Sequence, residues 1–229
     1  MEFVIIIIVV LAFMFILKFV YDYNLKKIKE SVKNEKLDKI TKKYPSNKEI
    51  CEWYLNKLNN KGVKIEEAPN ATASLYIAIS NKIVIANITD NYARIQTLAH
   101  ECLHSIQNKK MLIFNFIFSN IYMVYFIAIC ILQILALLPA QMMFLSIFLI
   151  LSLVYYCIRV YLENDAMLNA PYLAKEYMEN AKISSQDEIN EIFEEYKKIT
   201  KIGTKCIAYN FFLGIIAKTL IFSALCFIL

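Results

Sequence analysis

The two histidines of the chain lie four residues apart, in the sequence His100-Glu101-Cys102-Leu103-His104. On an α-helix, residues i and i+4 share a face, so both imidazoles can reach the same metal ion. Glu101 lies about 100° around such a helix from His100 and can approach a water beside the metal without binding the metal itself. This arrangement is typical of a zinc hydrolase, in which the metal activates water and a carboxylate takes its proton. The alternative is a pair of surface histidines without a metal.

A catalytic zinc site needs a third protein ligand and an open fourth position. Because the chain has no third histidine, that ligand must be a carboxylate or a cysteine. Glu163 and Asp165 follow two apolar blocks of membrane-spanning length, and two antiparallel spans would return them to the place where the motif helix enters the bilayer. They project about 200° apart on a helix, so one can bind the metal while the other orients a histidine ring. Ordinary solvation of both carboxylates is the alternative, and Cys102 is interpreted as a small apolar filler.

The composition indicates a membrane protein. The 229 residues are 59% hydrophobic with a net charge of +5, which excludes a disordered chain and a simple soluble globule, and six cysteines are too few for a disulfide-stapled scaffold. Four apolar blocks each approach the roughly 20 residues that a transmembrane helix needs. We therefore predict transmembrane helices at 1–20, 111–138, 140–158 and 206–229, the first as an uncleaved anchor. Nothing in the charge pattern indicates binding to nucleic acid.

The distribution of lysine and arginine predicts the orientation of these spans. Residues 21–110 hold 16 of the 25 basic side chains and residues 159–205 hold 7 more. Because basic residues accumulate in cytoplasmic loops, we expect both polar segments inside and both termini outside. The sequence thus predicts a multi-pass protein of the cell membrane, with its active site facing the cytoplasm and its cysteines as free thiols.

The polar segments carry recognisable local signals. Residues 21–45 are lysine-rich and are predicted to form a solvated, charged helical stalk. Residues 46–110 should hold a helix opened by the Ser46–Glu49 capping box, a β-hairpin from strands 74–80 and 83–86, and a motif helix capped by Thr89 or Asp90 and running through Gln107. Residues 159–205 should hold one helix over 161–181 and another opening at Ser185, whose apolar stripe we interpret as packing.

At the level of motifs, the chain resembles a known family. Thr97 to Gln107 is similar to the A-H-E-x-G-H-A-x-Q core of the membrane-bound neutral zinc metallopeptidases, the YugP-like group. Glu163-Asn164-Asp165-Ala166, with Ala170 beyond it, resembles that family's E-F-D-A-S-x-x-A stretch. More distantly, the layout resembles the gluzincin membrane proteases that include HtpX and the CAAX-prenyl endopeptidases. Leu103 stands where the family has glycine, and Met167 stands where it has serine.

The resemblance implies a mainly α membrane protein, with four transmembrane helices and a small α+β gluzincin-like zinc domain at the cytoplasmic face. It implies one Zn²⁺ per chain held by His100, His104 and Glu163, with Glu101 as general base and Asp165 as a supporting carboxylate outside the ligand shell. The substrate would be a peptide or a membrane protein, held along one strand of the hairpin. The oligomeric state is left open.

Two features remain open at this point. The donor that stabilises an oxyanion has four tyrosine candidates, namely Tyr92, Tyr161, Tyr172 and Tyr209. Lys218, in the middle of the last apolar block, either faces the active-site cavity or pairs with a carboxylate. The alternatives are that it snorkels from a tilted helix, or that the last block does not fully cross the membrane. The rival functions are a non-catalytic membrane scaffold that retains the fold, against which Glu101 argues, and a metal-handling membrane protein.

Overall fold

The computed structural model describes residues 2–21 and 33–228. Within these ranges the chain forms seven α-helices and three β-strands. The helices are α1 (Glu2–Val20), α2 (Glu35–Thr41), α3 (Asn47–Lys57), α4 (Arg94–His104), α5 (Lys109–Ile134), α6 (Gln141–Ala181) and α7 (Gln186–Ile228). The strands are β1 (Lys64–Glu67), β2 (Leu75–Ile77) and β3 (Lys82–Ile85). The protein is therefore mainly helical, with one small sheet.

Four of the described helices, α1, α5, α6 and α7, are long and apolar enough to cross a membrane. This agrees with the four predicted spans and is compatible with a membrane protein. The second apolar block leaves its helix at Ile134, four residues before the predicted end at residue 138. The chain turns there with positive φ angles at Ala136 (54°) and Ala140 (49°), on either side of Pro139, which cannot donate a helical hydrogen bond.

The third and fourth spans do not end where the polar segments begin. Helix α6 continues for 41 residues and α7 for 43, so the helices expected over 161–181 and from Ser185 are the polar ends of these two long helices. The capping box at Ser185 is present, because its N–H donates to Glu188 at 2.9 Å and its Oγ accepts from the Glu188 N–H at 3.3 Å. Along α7, Ile189, Ile192 and Tyr196 are buried, as expected of a packing stripe.

The chain divides into two compact units. The first unit comprises residues 2–21, 114–161 and 205–228, and it contains most of the apolar sequence. Aromatic stacking organises its core, where the Tyr122 ring lies 5.4 Å from Phe148 and 4.8 Å from Tyr155 between centroids. Many large apolar side chains of this unit are exposed, which is the pattern of a surface that faces lipid rather than water.

The second unit comprises residues 33–113 and 162–204. Its sheet has the order β1-β3-β2, with β2 antiparallel and β1 parallel to β3. The predicted hairpin is present, but its first strand ends at Ile77 rather than at residue 80, and its second begins at Lys82 and ends at Ile85. Asn81, just before the second strand, has a φ of 47°. Strand β1 was not predicted, because Lys64-Ile65-Glu66-Glu67 has one apolar side chain and becomes a strand by pairing with β3. Ile83 and Ile85 of β3 are buried in the core beneath the helices.

Helix α4 is shorter at both ends than the sequence predicted. It begins at Arg94, not at Thr89 or Asp90, because acceptor side chains fix the preceding residues as turns. The Tyr92 N–H donates to Asp38 at 2.7 Å, and the Ala93 N–H donates to the Asn91 side chain at 2.7 Å. The helix ends at His104, with Ser105 to Gln107 in turns. The segment from His100 to His104 therefore lies within the last two turns of α4.

The predicted stalk over residues 21–45 is described from residue 33 onward, and residues 22–32 of it lie outside the described part. In that later portion, Leu37 and Ile40 of α2 are 0% and 5% exposed. Tyr44 is buried with them in the core of the second unit. The guanidinium of Arg94 holds this segment through carbonyl oxygens of Thr41, Tyr44 and Pro45 at 2.9–3.0 Å. The expectation of a solvated stalk is therefore wrong for residues 35–44, because amphipathic spacing puts their apolar side chains on one packed face.

Candidate metal centre

Helix α4, which carries His100 and His104, is packed firmly into the core of the second unit. Its buried face includes Leu98, Ala99 and Cys102, none of them accessible to solvent. Burial raises the pKa of the Cys102 thiol well above its ordinary value, and the Sγ contacts the Cys51 carbonyl at 3.9 Å. These facts favour Cys102 as a packing residue. The opposite edge of α4 presents His100 and His104.

His100, His104 and Glu163 come together in the second unit. The two Nε2 atoms lie 3.1 Å apart, and the Glu163 Oε2 lies 3.5 Å from Nε2 of His100 and 3.6 Å from Nε2 of His104. Glu163 reaches the histidines from α6, 59 positions along the chain from His104. This group could hold a metal ion.

The size of this triangle fits zinc. From its three sides, a point equidistant from the three atoms lies about 2.0 Å from each, close to the Zn–N and Zn–O bond lengths of about 2.0–2.2 Å. A tetrahedral ion with such bonds separates its ligand atoms by about 3.3 Å, within the observed range of 3.1–3.6 Å. Two imidazoles and one carboxylate are also a donor set that catalytic zinc sites use, with a fourth position open.

Gln107 fixes the proton of His104. The Gln107 Nε2 donates to the Leu162 carbonyl and to Oδ2 of Asp165, both at 2.8 Å, so its Oε1 points the other way. That oxygen lies 2.9 Å from the His104 Nδ1 and can only accept, which means that Nδ1 carries the proton. In this tautomer the lone pair of Nε2 is directed at the triangle, where a metal needs it.

Asp165 therefore contacts the site through Gln107. The sequence predicted that Asp165 orients a histidine ring. In the structure Asp165 accepts a hydrogen bond from Gln107, and Gln107 in turn contacts the ring of His104. Gln107 lies at the end of the motif, and the sequence did not predict it as a site residue. The available signal was its position three residues after His104, which puts an amide within reach of the ring where the helix ends.

His100 is supported differently. Its Nδ1 is buried and has no hydrogen-bond partner among the residues that the structure describes, in contrast to the Nδ1 of His104. One turn earlier on the same edge of α4, Gln96 donates to the Thr200 hydroxyl at 2.8 Å and so links α4 to α7. The two histidines thus lie on the same edge of α4 but differ in the contacts of their Nδ1 atoms.

Glu101 is 7% exposed and lies beside the triangle without belonging to it. Burial raises the pKa of its carboxyl, the two histidines act in the opposite direction, and Glu163 raises it again. A backbone hydrogen bond from Tyr76, on β2, also favours the charged form of Glu101. For His104, burial favours the neutral ring, but hydrogen bonds with Glu163 and Gln107 outweigh it and raise the pKa.

The four tyrosine candidates for an oxyanion donor are not equivalent. Tyr92 is fully buried, and its backbone carbonyl accepts a hydrogen bond from the Tyr196 hydroxyl at 2.6 Å, so it belongs to the core. Tyr172 is 61% exposed and lines a cavity of about 370 Å³ together with Gln107 and Asp165. Tyr161 and Tyr209 belong to the first unit. Within the second unit, Tyr172 is therefore the candidate that shares a cavity with site residues.

The Gln107 contacts lead to a testable expectation. Gln107→Leu removes the acceptor of the His104 Nδ1 proton and should weaken zinc binding by about 10–100-fold, the usual effect of losing such a supporting contact. Competition against a chromophoric chelator measures this affinity. Asn169→Leu is a matched control, because Asn169 lines the same cavity but bonds the Asp165 carbonyl of its own helix. Equal zinc affinity in Gln107→Leu and the unchanged protein would show that Gln107 does not support the site.

Comparison with known proteins adds no family to this picture: no family model, no curated protein and no solved structure matches the chain.

Proposed function

We propose that the protein is an integral membrane zinc metalloendopeptidase. The observation that carries this proposal is the triangle of His100, His104 and Glu163, whose atoms lie at zinc-binding distances with Glu101 beside them. The two histidines and the carboxylate from another helix are largely withdrawn from solvent, unlike a pair of surface histidines without a metal. The motif resemblance to the membrane-bound zinc metallopeptidases supports the same proposal independently of the distances.

In this proposal each residue has one task. When bound, the metal supplies a Lewis acid that polarises a carbonyl and makes water a better nucleophile. Glu101 takes the proton from the attacking water and passes it to the amine nitrogen as the peptide bond breaks. Its low exposure keeps the carboxylate away from competing solvent. Gln107 holds His104 in the tautomer that can bind the metal.

Strand β2 is the proposed binding edge for an extended peptide. It is an edge strand of the sheet, with β3 on its inner side. Its Tyr76 makes a backbone hydrogen bond to the Glu101 carboxylate, so this edge runs past the general base. A peptide that adds to β2 by main-chain hydrogen bonding would pass beside Glu101.

Hydrolysis of labelled casein by the purified protein tests the proposal. We expect cleavage that a zinc chelator abolishes. A non-catalytic scaffold would cleave nothing with or without zinc. A metal-handling protein would bind the ion but leave casein intact, so either result would replace the proposed activity by one of these two rivals.

The location that we propose is the cell membrane, with the second unit facing the cytoplasm. The support is the length and apolar composition of α1, α5, α6 and α7, together with the basic residues of the polar segments. Lys61 is exposed in the second unit, and Gln141 lies at the start of α6, in a turn region that carries no lysine or arginine.

Cysteine labelling in intact cells distinguishes the two orientations. In a background without native cysteines, Lys61→Cys should resist a membrane-impermeant thiol reagent, because the reagent cannot reach the cytoplasm of an intact cell. Gln141→Cys should react. Permeabilised cells are the control, since Lys61→Cys must then react. Labelling in the reverse pattern would place the candidate metal centre outside the cell.

A further inference from the structure

Lys218 lies in the apolar part of α7, within the first unit. Its Nζ is 3.4 Å from the Gly214 carbonyl oxygen and 5.5 Å from the centroid of the Tyr122 ring. Across residues 2–21 and 33–228, no carboxylate pairs with this ammonium group. A charge in the middle of a membrane span is costly, so a lysine there without a counter-charge calls for a partner.

The groups around Lys218 lower the free-energy cost of its charge in the membrane but do not neutralise that charge. Tyr122 is 1% exposed and receives a hydrogen bond from the Ser152 hydroxyl at 3.3 Å, which holds its ring in place. The ring face attracts the ammonium through its quadrupole. The Gly214 carbonyl adds one dipole. Both interactions orient the ammonium group, and neither supplies a counter-charge.

Gly214 has no side chain and so leaves space beside the ammonium group of Lys218. A Cβ at this position would lie 4.0 Å from the Lys218 Nζ, so the lysine folds back over a site that has no side chain of its own. Small residues on transmembrane helices allow another helix to come close, and polar groups beside them can then bond across the contact. Gly214 and Lys218, four residues apart, present both features on one face of α7.

We infer that the Gly214–Lys218 face of α7 is a docking site for a membrane-spanning segment of another protein that carries a carboxylate at mid-membrane depth. A lipid headgroup does not fit, because Lys218 is about eleven residues, or roughly 17 Å of helix, from either end of the 206–229 block. A second copy of the chain does not fit either, since its four apolar blocks carry no aspartate or glutamate at mid-membrane depth, and their one carboxylate, Glu2, stands at the end of the first block. This inference rests on the proposed insertion into a bilayer but not on the protease activity.

A model transmembrane peptide tests the inference. The full chain, fused at its C-terminus to a fluorescent protein, is reconstituted in phosphatidylcholine vesicles at pH 8 with a dye-labelled leucine–alanine helix. The helix carries either one central aspartate or leucine at the same position. Energy transfer should show at least about fivefold tighter association with the aspartate peptide, the scale of a polar contact between membrane helices. Lys218→Arg should keep this preference, and Lys218→Met should abolish it.

Equal association of the two peptides with the unchanged protein would overturn the inference, as would a preference that survives in Lys218→Met. If Lys218→Met does not insert, Gly214→Leu decides the question, because it keeps the charge but blocks close approach and should remove the preference. Casein hydrolysis and resistance of the protein to alkaline extraction are followed in the same vesicles. Failure of the docking site is thereby distinguished from failure of the proposed activity or of membrane insertion.

Discussion

Glu101→Gln should lower casein hydrolysis by about 10²–10⁴-fold, the contribution of a general base, while zinc remains bound. The substitution keeps the size of the side chain, and an amide oxygen can still accept the Tyr76 backbone hydrogen bond. It removes the function that the proposal assigns to this carboxylate, which is to take a proton from water and pass it to the amine nitrogen. Turnover is measured by release of labelled peptides, and zinc by elemental analysis of the same preparation.

Glu67→Gln is the matched control for this variant, because Glu67 is an exposed carboxylate at the end of β1, and the same change there should leave turnover unaltered. A Glu101→Gln protein that retains zinc and full turnover would exclude Glu101 as the base. A variant that loses zinc as well would show that Glu101 belongs to the metal site rather than beside it.

Glu163→Ala should empty the metal site, whereas Asp165→Asn should weaken it by no more than about 10–100-fold. The Glu163 Oε2 lies 3.5–3.6 Å from both Nε2 atoms, so its loss leaves two imidazoles as the only protein ligands. Asp165 instead accepts a hydrogen bond from Gln107, and the amide oxygen of an asparagine can accept the same bond. The measurement is zinc per chain after mild dialysis.

The two variants control for each other, since both alter one carboxylate near the start of the polar end of α6. Thermal unfolding of each protein shows whether the fold is intact. Should Asp165→Asn lose its zinc while Glu163→Ala keeps it, the roles of the two residues would have to be exchanged.

Local periodicity explains why much of the candidate site was predictable. The i, i+4 spacing of His100 and His104 depends on helix geometry alone, and the apolar blocks predict helices of membrane length. The return of the chain after two apolar helices predicts that Glu163 or Asp165 approaches the histidines, and the motif resemblance pointed to Glu163 as the ligand. Capping boxes at Ser46 and Ser185 were equally readable, because each is complete within four residues.

The features that escaped prediction depend on contacts between distant parts of the chain. Gln107 became a site residue through the Leu162 carbonyl and Asp165, which lie more than fifty positions away. Strand β1 exists because β3 offers it a parallel partner. Residues 35–44 looked like a solvated stalk because their charges dominate the sequence, while Leu37 and Ile40 supply the few apolar contacts that decide their packing. Local patterns do not encode such pairings.

Returning zinc to the metal-free protein tests the central claim most directly, namely that one zinc ion at His100, His104 and Glu163 supports peptide hydrolysis. The purified protein is freed of metal with a chelator, zinc is added back in steps, and casein cleavage is followed at each step. We predict that cleavage rises in proportion to the zinc added and stops rising at about one zinc per chain, as expected of one tightly held catalytic ion. Absence of cleavage at every zinc level, with the protein folded and membrane-inserted, would contradict the account.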